Sequence, residues 1–231
     1  EVLKDASSTA IYGTRGANGV VLITTKSGRK NEAIQVSYNG FFGIQNPWRK
    51  IDMLNSSEYI DFINSGKEID GRNPVFDDDF VLNLADPRID TLGWDTDWQD
   101  EMFYYNAPKQ SHSFSLTGGS KNSVYSSSVS YLNQDGIVAK GKSNFERITI
   151  RSNTSHEIGK FIVGTNLNFV NVKKVGIDVN DQYSSYSLIQ AMNTPPIVPV
   201  NFDNGDWATP SDFGLALQEV TNSVAMLNYL N

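Results

Sequence analysis

EVLKDASSTAIYGTRGANGVVLITTKSGR (residues 1–29) runs almost directly into AIQVSYNGFFGIQ (residues 33–45), and the join between these two stretches decides how the chain is read. The first is a compact block punctuated by glycine. Residues 3–12 suit a short helical turn. Gly13, Gly16 and Gly19 then break regularity, because glycine accepts positive φ and close backbone approach. Val20–Thr25 is a largely β-branched run, the pattern of a strand buried on both faces. The second stretch alternates: Ile34, Val36, Tyr38, Phe42 and Ile44 share one face, while Gln35, Ser37, Asn39 and Gly43 share the other. Period two over ten or more residues marks a strand with one apolar and one wet side.

The alternation recurs over residues 109–118, 123–133, 144–154 and 161–172. Phe114 and Leu116 oppose Ser113 and Ser115; Tyr125, Val129 and Tyr131 oppose Ser126, Ser128 and Ser130; Ile148 and Ile150 oppose Arg147 and Arg151; Leu167 and Phe169 oppose Asn166 and Asn168. Residues 119–122 and 157–160 are tight turns, whereas 46–108 and 173–231 are long connections. Short turns at one end and long loops at the other are the layout of an outer-membrane barrel, with the short turns periplasmic and the long loops extracellular. The fold expected is all-β: part of a large antiparallel transmembrane barrel (residues 32–231, about five strands), preceded by the end of a plug domain (residues 1–31), with short helices in the extracellular loops. Arg147, Arg151, Asn166 and Asn168 are then lumen-facing. Five strands cannot close, and an open edge in lipid strands backbone groups at several kcal/mol each. The chain also opens and stops inside apparent elements, so it is expected to be an internal piece of a longer protein.

Composition narrows the classes. The formal net charge of −7 argues against a nucleic-acid partner. Cysteine is absent, which removes disulfide frameworks and thiolate metal sites. No apolar run is long enough for a transmembrane helix, but barrel strands need only about 9–11 residues each, so this says nothing against a membrane wall.

The long connections carry the remaining candidates. Ser56–Lys67 reads as a helix with Ser56 or Ser57 as N-cap, and Trp94–Phe103 and Ser187–Met192 as shorter helical turns. Trp94, Trp98, Tyr104 and Tyr105, close to Asp95, Asp97, Asp100 and Glu101, form an aromatic–carboxylate cluster suited to substrate or lid contact; Trp207 is a further candidate. Equally, such aromatics suit a loop core or an interfacial girdle. Asp77–Asp79 and Asp203–Asp206 offer oxygen ligands for calcium, but neither has the spacing of an EF-hand. No cofactor or metal is expected. His112 and His156 lack metal spacing, and no catalytic arrangement follows from spacing, so no enzyme activity is expected.

Three stretches carry a family resemblance. Residues 2–28 (VLKDASSTAIYGTRGANGVVLITTKSG) resemble the end of the plug in the SusC/RagA family of TonB-dependent outer-membrane transporters. Residues 96–120 (TDWQDEMFYYNAPKQSHSFSLTGGS) resemble its loop into the second strand, and residues 131–138 (YLNQDGIV) the end of its third. The matching plug positions are Asp5, Tyr12, Gly13, Arg15, Gly16, Asn18 and Gly19, for which a structural role is expected. The resemblance implies a plugged barrel of 22 strands in the bacterial outer membrane, in contact with lipid. It also implies a SusD-like surface lipoprotein as lid, energy from the TonB complex, and import of oligosaccharides or oligopeptides. Three alternatives stand beside it: a surface-exposed β-protein used in adhesion or binding, whose apolar faces would pack on a second sheet; an enzyme such as an outer-membrane hydrolase, which would need a catalytic constellation assembled from scattered residues; and a TonB-dependent receptor for metal chelates.

Overall fold

The computed structural model describes residues 2–16, 18–22, 28–77, 94–177, 188–215, 217 and 220–229. Two sheets organise them. The first is a two-stranded ribbon, β1 (Val2–Leu3) with β2 (Val20–Val21), paired antiparallel with Val2 opposite Val21 and Leu3 opposite Val20. Between them lie a short helix, α1 (Ala6–Thr9), and a 3-10 segment over Ala10–Gly16. The ribbon corrects one expectation. Among the described residues of this run strand pairing covers Val20–Val21, and Val21 is 65% exposed, so that part is not buried on both faces. Residues 23–25 lie outside the described residues.

The second sheet has five strands in the order of the sequence: β3 (Gln35–Gln45), β4 (Ala107–Gly119), β5 (Ser123–Asp135), β6 (Asn144–Ile158) and β7 (Phe161–Val175). All five expected strands are present, and the last four reach one to four residues beyond an expected end. The turns explain the neighbour pairing. Ser120 donates its N–H to the Ser123 carbonyl (2.7 Å) and accepts the Ser123 N–H on its Oγ (3.1 Å). Gly159, at φ 63°, opens the two-residue reversal between β6 and β7, where a positive φ at the first position matches the twist of the strands.

No described residue forms a layer over the apolar side chains of the sheet: Phe42, Phe114, Val129, Ile150, Leu167 and Phe169 are all exposed. This is the opposite of what an adhesive sandwich requires. Among the described residues no helix is long and apolar enough to cross a membrane.

By contact density the chain forms two compact units. One comprises Glu1–Asn39, Ser113–Ser130 and Thr149–Val170; the other comprises Gly40–His112, Tyr131–Ile148 and Asn171–Asn231. The second holds the buried core, in which Ile60, Phe76, Trp98, Met102, Ile197 and Val198 pack together. Its helices are α2 (Ser56–Ile69), α3 (Trp98–Met102), α4 (Leu188–Asn193) and α5 (Ser223–Tyr229). Two helix starts differ from expectation for one physical reason. A cap is chosen by which side chain can reach the free N–H groups of the first turn. Asn55, not Ser56 or Ser57, caps α2 in a reciprocal box with Glu58. Asp97 caps α3 by accepting from the N–H groups of Gln99 (3.0 Å) and Asp100 (3.1 Å), which leaves Trp94 outside the helix.

Candidate functional site

The wall itself is the first part of the site. On its polar side, Arg151 Nε donates to Asn168 Oδ1 across β6 and β7 (3.3 Å). Arg147 lies four residues earlier on the same face of β6, and Asn166 two residues earlier on the same face of β7, so strand alternation puts all four candidates on one side. Nearer the long loops, Gln134 Nε2 donates to Gln45 Oε1 (3.0 Å) and Gln45 Nε2 to the Asp135 carbonyl (3.2 Å). On the apolar side two polar pairs meet across the strands. The Oγ atoms of Ser127 and Ser152 are 3.0 Å apart, and His156 Nδ1 is 2.9 Å from Ser123 Oγ.

The segment leading into the wall is threaded across its turn end. Asn31 donates its N–H to the Ser120 carbonyl (3.2 Å), Gly119 donates its N–H to the Glu32 carbonyl (3.0 Å), and Lys30 pairs with Glu157. There is no room for side chains here. A Cβ on Gly119 would lie 2.3 Å from the Arg29 carbonyl oxygen, and one on Gly28 would lie 2.4 Å from that of Gly118. Gly119 belongs to the polar side of β4, so Arg29 crosses on that side.

In the glycine-punctuated block, Asp5 holds α1: its carbonyl accepts from the Thr9 N–H (3.1 Å) and Oγ1 (3.0 Å), and its carboxylate accepts from Ser7 Oγ (2.6 Å). Gly13 sits at φ 63°, ψ −153°, a region essentially reserved for glycine. Gly16 is buried, and a Cβ there would lie 2.9 Å from the Thr9 carbonyl oxygen. Gly19, at φ 96°, donates its N–H to the Gly16 carbonyl (3.0 Å). Tyr12, Arg15 and Asn18 are exposed. The spacing of the glycines is therefore a backbone requirement at each position.

In the second unit, residues 50–56 are fastened to α3 and the loop before it. Lys50 Nζ bridges Asp97 Oδ2 (2.6 Å) and Asp100 Oδ2 (2.7 Å). Its hydrogen bonds donated to Asp100 and Asp97 hold the Lys50 ammonium above its ordinary pKa. The Lys50 and Tyr105 hydrogen bonds hold the Asp100 carboxyl below the usual range, and donation to Asp100 raises the Tyr105 phenol. Gln99 clamps Ile51 at both backbone atoms, accepting its N–H on Oε1 (3.0 Å) and donating Nε2 to its carbonyl (2.7 Å). Asp95 Oδ1 accepts from the Ser56 N–H (2.9 Å). Between this strap and residues 191–196 lies a cleft of about 270 Å³, with Asp52, Met53, Leu54, Asp95 and Met192 on its walls.

The aromatic candidates divide. Trp98 is 4% exposed, and its Nε1–H donates to the Pro195 carbonyl (3.2 Å). Trp94 packs edge-on against Phe202 and Phe213, part of the loop core. Tyr104 lies under Lys140 Nζ, 5.2 Å from the ring centre. Tyr105 is exposed, and Trp207 is half-buried in a bridge to Asn201. Of the acidic runs, Asp78 and Asp79 lie outside the described residues. Asp206 turns inward on its own loop, accepting from Asn204 Nδ2 (2.7 Å).

With a wall, a threaded lead-in segment and a helical loop body in place, comparison with known proteins decides the family. The TonB-dependent receptor SusC of Bacteroides thetaiotaomicron is 34% identical over 212 residues, 89% of this chain and 19% of that protein. The TonB-dependent receptor P3 of Formosa agariphila is 38% identical over 168 residues, 72% of this chain and 14% of that one. The solved RagAB peptide transporter superposes with a TM-score of 0.70 at 29% identity, covering 90% of this chain and 25% of that one. No protein-family model matches the chain. The chain belongs to the SusC/RagA family of TonB-dependent receptors. Its five-stranded sheet is part of a β-barrel of the bacterial outer membrane. It spans about a fifth of the length of the SusC relative it matches.

Within this SusC/RagA-type segment, sequence reasoning missed the residues that build the loop body. Asn55 and Glu58 form a reciprocal cap that an N-x-x-E spacing announces. Gly28 and Gly119 left no local signal, since their constraint is a crossing between segments about 90 residues apart. Gln99 looks like any polar helix residue until its two bonds to Ile51 are seen.

Proposed function

We propose that this SusC/RagA-type chain is part of an importer that carries large nutrients across the outer membrane with energy from TonB, under a SusD-like surface lipoprotein. The observation that carries the reading is the two-sided wall, whose apolar side chains are open and whose polar side holds Arg151, Asn168, Gln45 and Gln134 in bonded order. On this reading the apolar side faces lipid, the polar side lines the lumen, the glycine-punctuated block ends the plug, and residues 46–108 and 173–231 are extracellular. Transport then runs on binding and plug movement, and no group in this chain does chemistry. Cargo is an oligosaccharide or an oligopeptide: SusC-type similarity is compatible with either, and the RagAB relative is a peptide importer.

Deleting the gene in its host, then supplying defined oligopeptides or oligosaccharides as sole nutrient, tests this. Growth on one class should be lost, lost again when TonB is removed, and a surface lipoprotein should co-purify with the receptor. Growth and uptake unaffected by both deletions would overturn the proposal.

A further inference from the structure

The lead-in segment, residues 28–32, is held by three strands at once. Besides its bonds to Gly119 and Ser120, it reaches β6 through Lys30 and Glu157. Glu157 in turn donates its N–H to the Asn122 carbonyl (2.7 Å), which ties the two tight turns into one surface. The segment is also closed on itself: Glu32 accepts from the Arg29 N–H on Oε2 (3.3 Å) and from Gln35 Nε2 on Oε1 (3.3 Å). Asn31 makes the bend at φ 55°, a left-handed conformation that asparagine tolerates better than most residues. The fit is main chain on main chain. A Cβ on Gly28 would lie 2.5 Å from the Tyr125 carbonyl oxygen, and one on Gly119 would lie 2.8 Å from that of Ser123. Both oxygens belong to the backbone of β5, so neither can step aside alone. The Lys30–Glu157 pair is the lesser part of the hold, because both side chains are well open to water.

We infer that residues 28–32 are a fixed seat for the end of the plug, with Gly28 and Gly119 as its positioning residues. The inference rests on the plugged-barrel reading: when a path opens, the glycine-punctuated block rearranges while Gly28–Glu32 stays on the wall. Proteins open locally along the units that cost least. The bonds from Thr9 to Asp5 and from Gly19 to Gly16, and the ribbon of β1 with β2, close within residues 2–21 and can yield one after another. Lifting the seat instead breaks the bonds at Gly119 and Ser120 and the pair with Glu157 together. The seat then also returns the plug to one register when the path closes.

The test uses the intact receptor in phospholipid bilayers and needs no cargo. Urea that leaves the barrel folded should open an ion current as the block yields. Under the same urea, in lipid vesicles, hydrogen exchange should rise in peptides over residues 6–21 and keep its urea-free rate over residues 29–33. Joining Lys30→Cys to Glu157→Cys with a short bismaleimide should leave the urea concentration for opening unchanged. Gly119→Ala should raise exchange over residues 29–33 without urea, while the mobility of the folded barrel shows the wall intact. Exchange over 29–33 that rises together with 6–21 would overturn the inference, as would a linked receptor that no longer opens. So would wild-type exchange in a folded Gly119→Ala. The first two measurements keep the native glycines, so they decide even if that variant does not fold. In each of these cases a urea-opened current in the unlinked receptor leaves the plugged-barrel reading standing. No current before the barrel itself unfolds would overturn that reading, and the seat with it.

Discussion

Replacing Val129 by Arg probes the side assignment of the wall at its most sensitive point. Val129 is the middle residue of the thirteen in β5, and it is 47% exposed on the apolar face, where Ile150 is 37% exposed. Six residues of strand on either side amount to about 20 Å of chain, or about 15 Å along the membrane normal at the tilt usual for such barrels. That depth is half of a hydrocarbon core of about 30 Å, so the substituted guanidinium is placed near the midplane. An arginine there costs about 2–4 kcal/mol, falling to about 0–1 near the interfaces. At about 1.4 kcal/mol per factor of ten, the folding equilibrium should weaken by about 30- to 700-fold. The control is Ser130→Arg, the next residue on the other face, where a charge meets water and the cost should stay within about 0.5 kcal/mol. Urea titration of the intact receptor folding into lipid vesicles, followed by the mobility difference between folded and unfolded barrel, reads both. Equal costs for the two variants would refute the assignment. A larger cost for Ser130→Arg would reverse it.

Further outcomes follow from the loop body and the glycine block. Gln99→Ala removes both bonds to Ile51, so residues 46–55 should loosen by about 1–3 kcal/mol, at about 1 ± 0.5 for each bond; faster proteolytic cutting within this strap would show it, and an unchanged cutting rate would mean the clamp holds nothing. The Lys50–Asp97–Asp100 bridge is partly exposed and contributes below about 1 kcal/mol per pair. Its pH dependence has a definite sign. The lowered Asp100 stabilises fully above the ordinary carboxyl value of 3.8 and loses its contribution as pH falls through its folded value. The raised Lys50 stabilises fully below its ordinary 10.5 and loses its contribution only as pH rises beyond it. Hydrogen exchange in α3 should therefore differ between wild type and Lys50→Met by a constant amount from about pH 5 to 10, and converge in acid. Gly13→Ala should cost about 1–3 kcal/mol from backbone strain alone, since a Cβ there meets nothing within 4 Å; a neutral effect on thermal unfolding would show that this turn relaxes freely.

How much of this was legible in the chain depends on the range of the interaction that fixes each residue. Strand alternation is a local pattern imposed by two solvents, and it placed Arg151 with Asn168, and Val129 opposite to Ser128 and Ser130, without any tertiary knowledge. The last four strands outrun their patterns because pairing continues past the apolar band into residues such as Asp135, His156 and Lys173, whose polarity hides them from a hydropathy reading. The start of the Val20–Thr25 run differs for the complementary reason: a β-branched run reports what a strand could be buried in, not whether a second layer is there, and Val21 is open. The loop aromatics were ambiguous because an aromatic beside carboxylates looks the same whether it stacks on a ligand or on a core. Only the fold shows Trp98 spending its N–H on Pro195 and Trp94 sitting among Phe202 and Phe213, over 100 residues away in sequence.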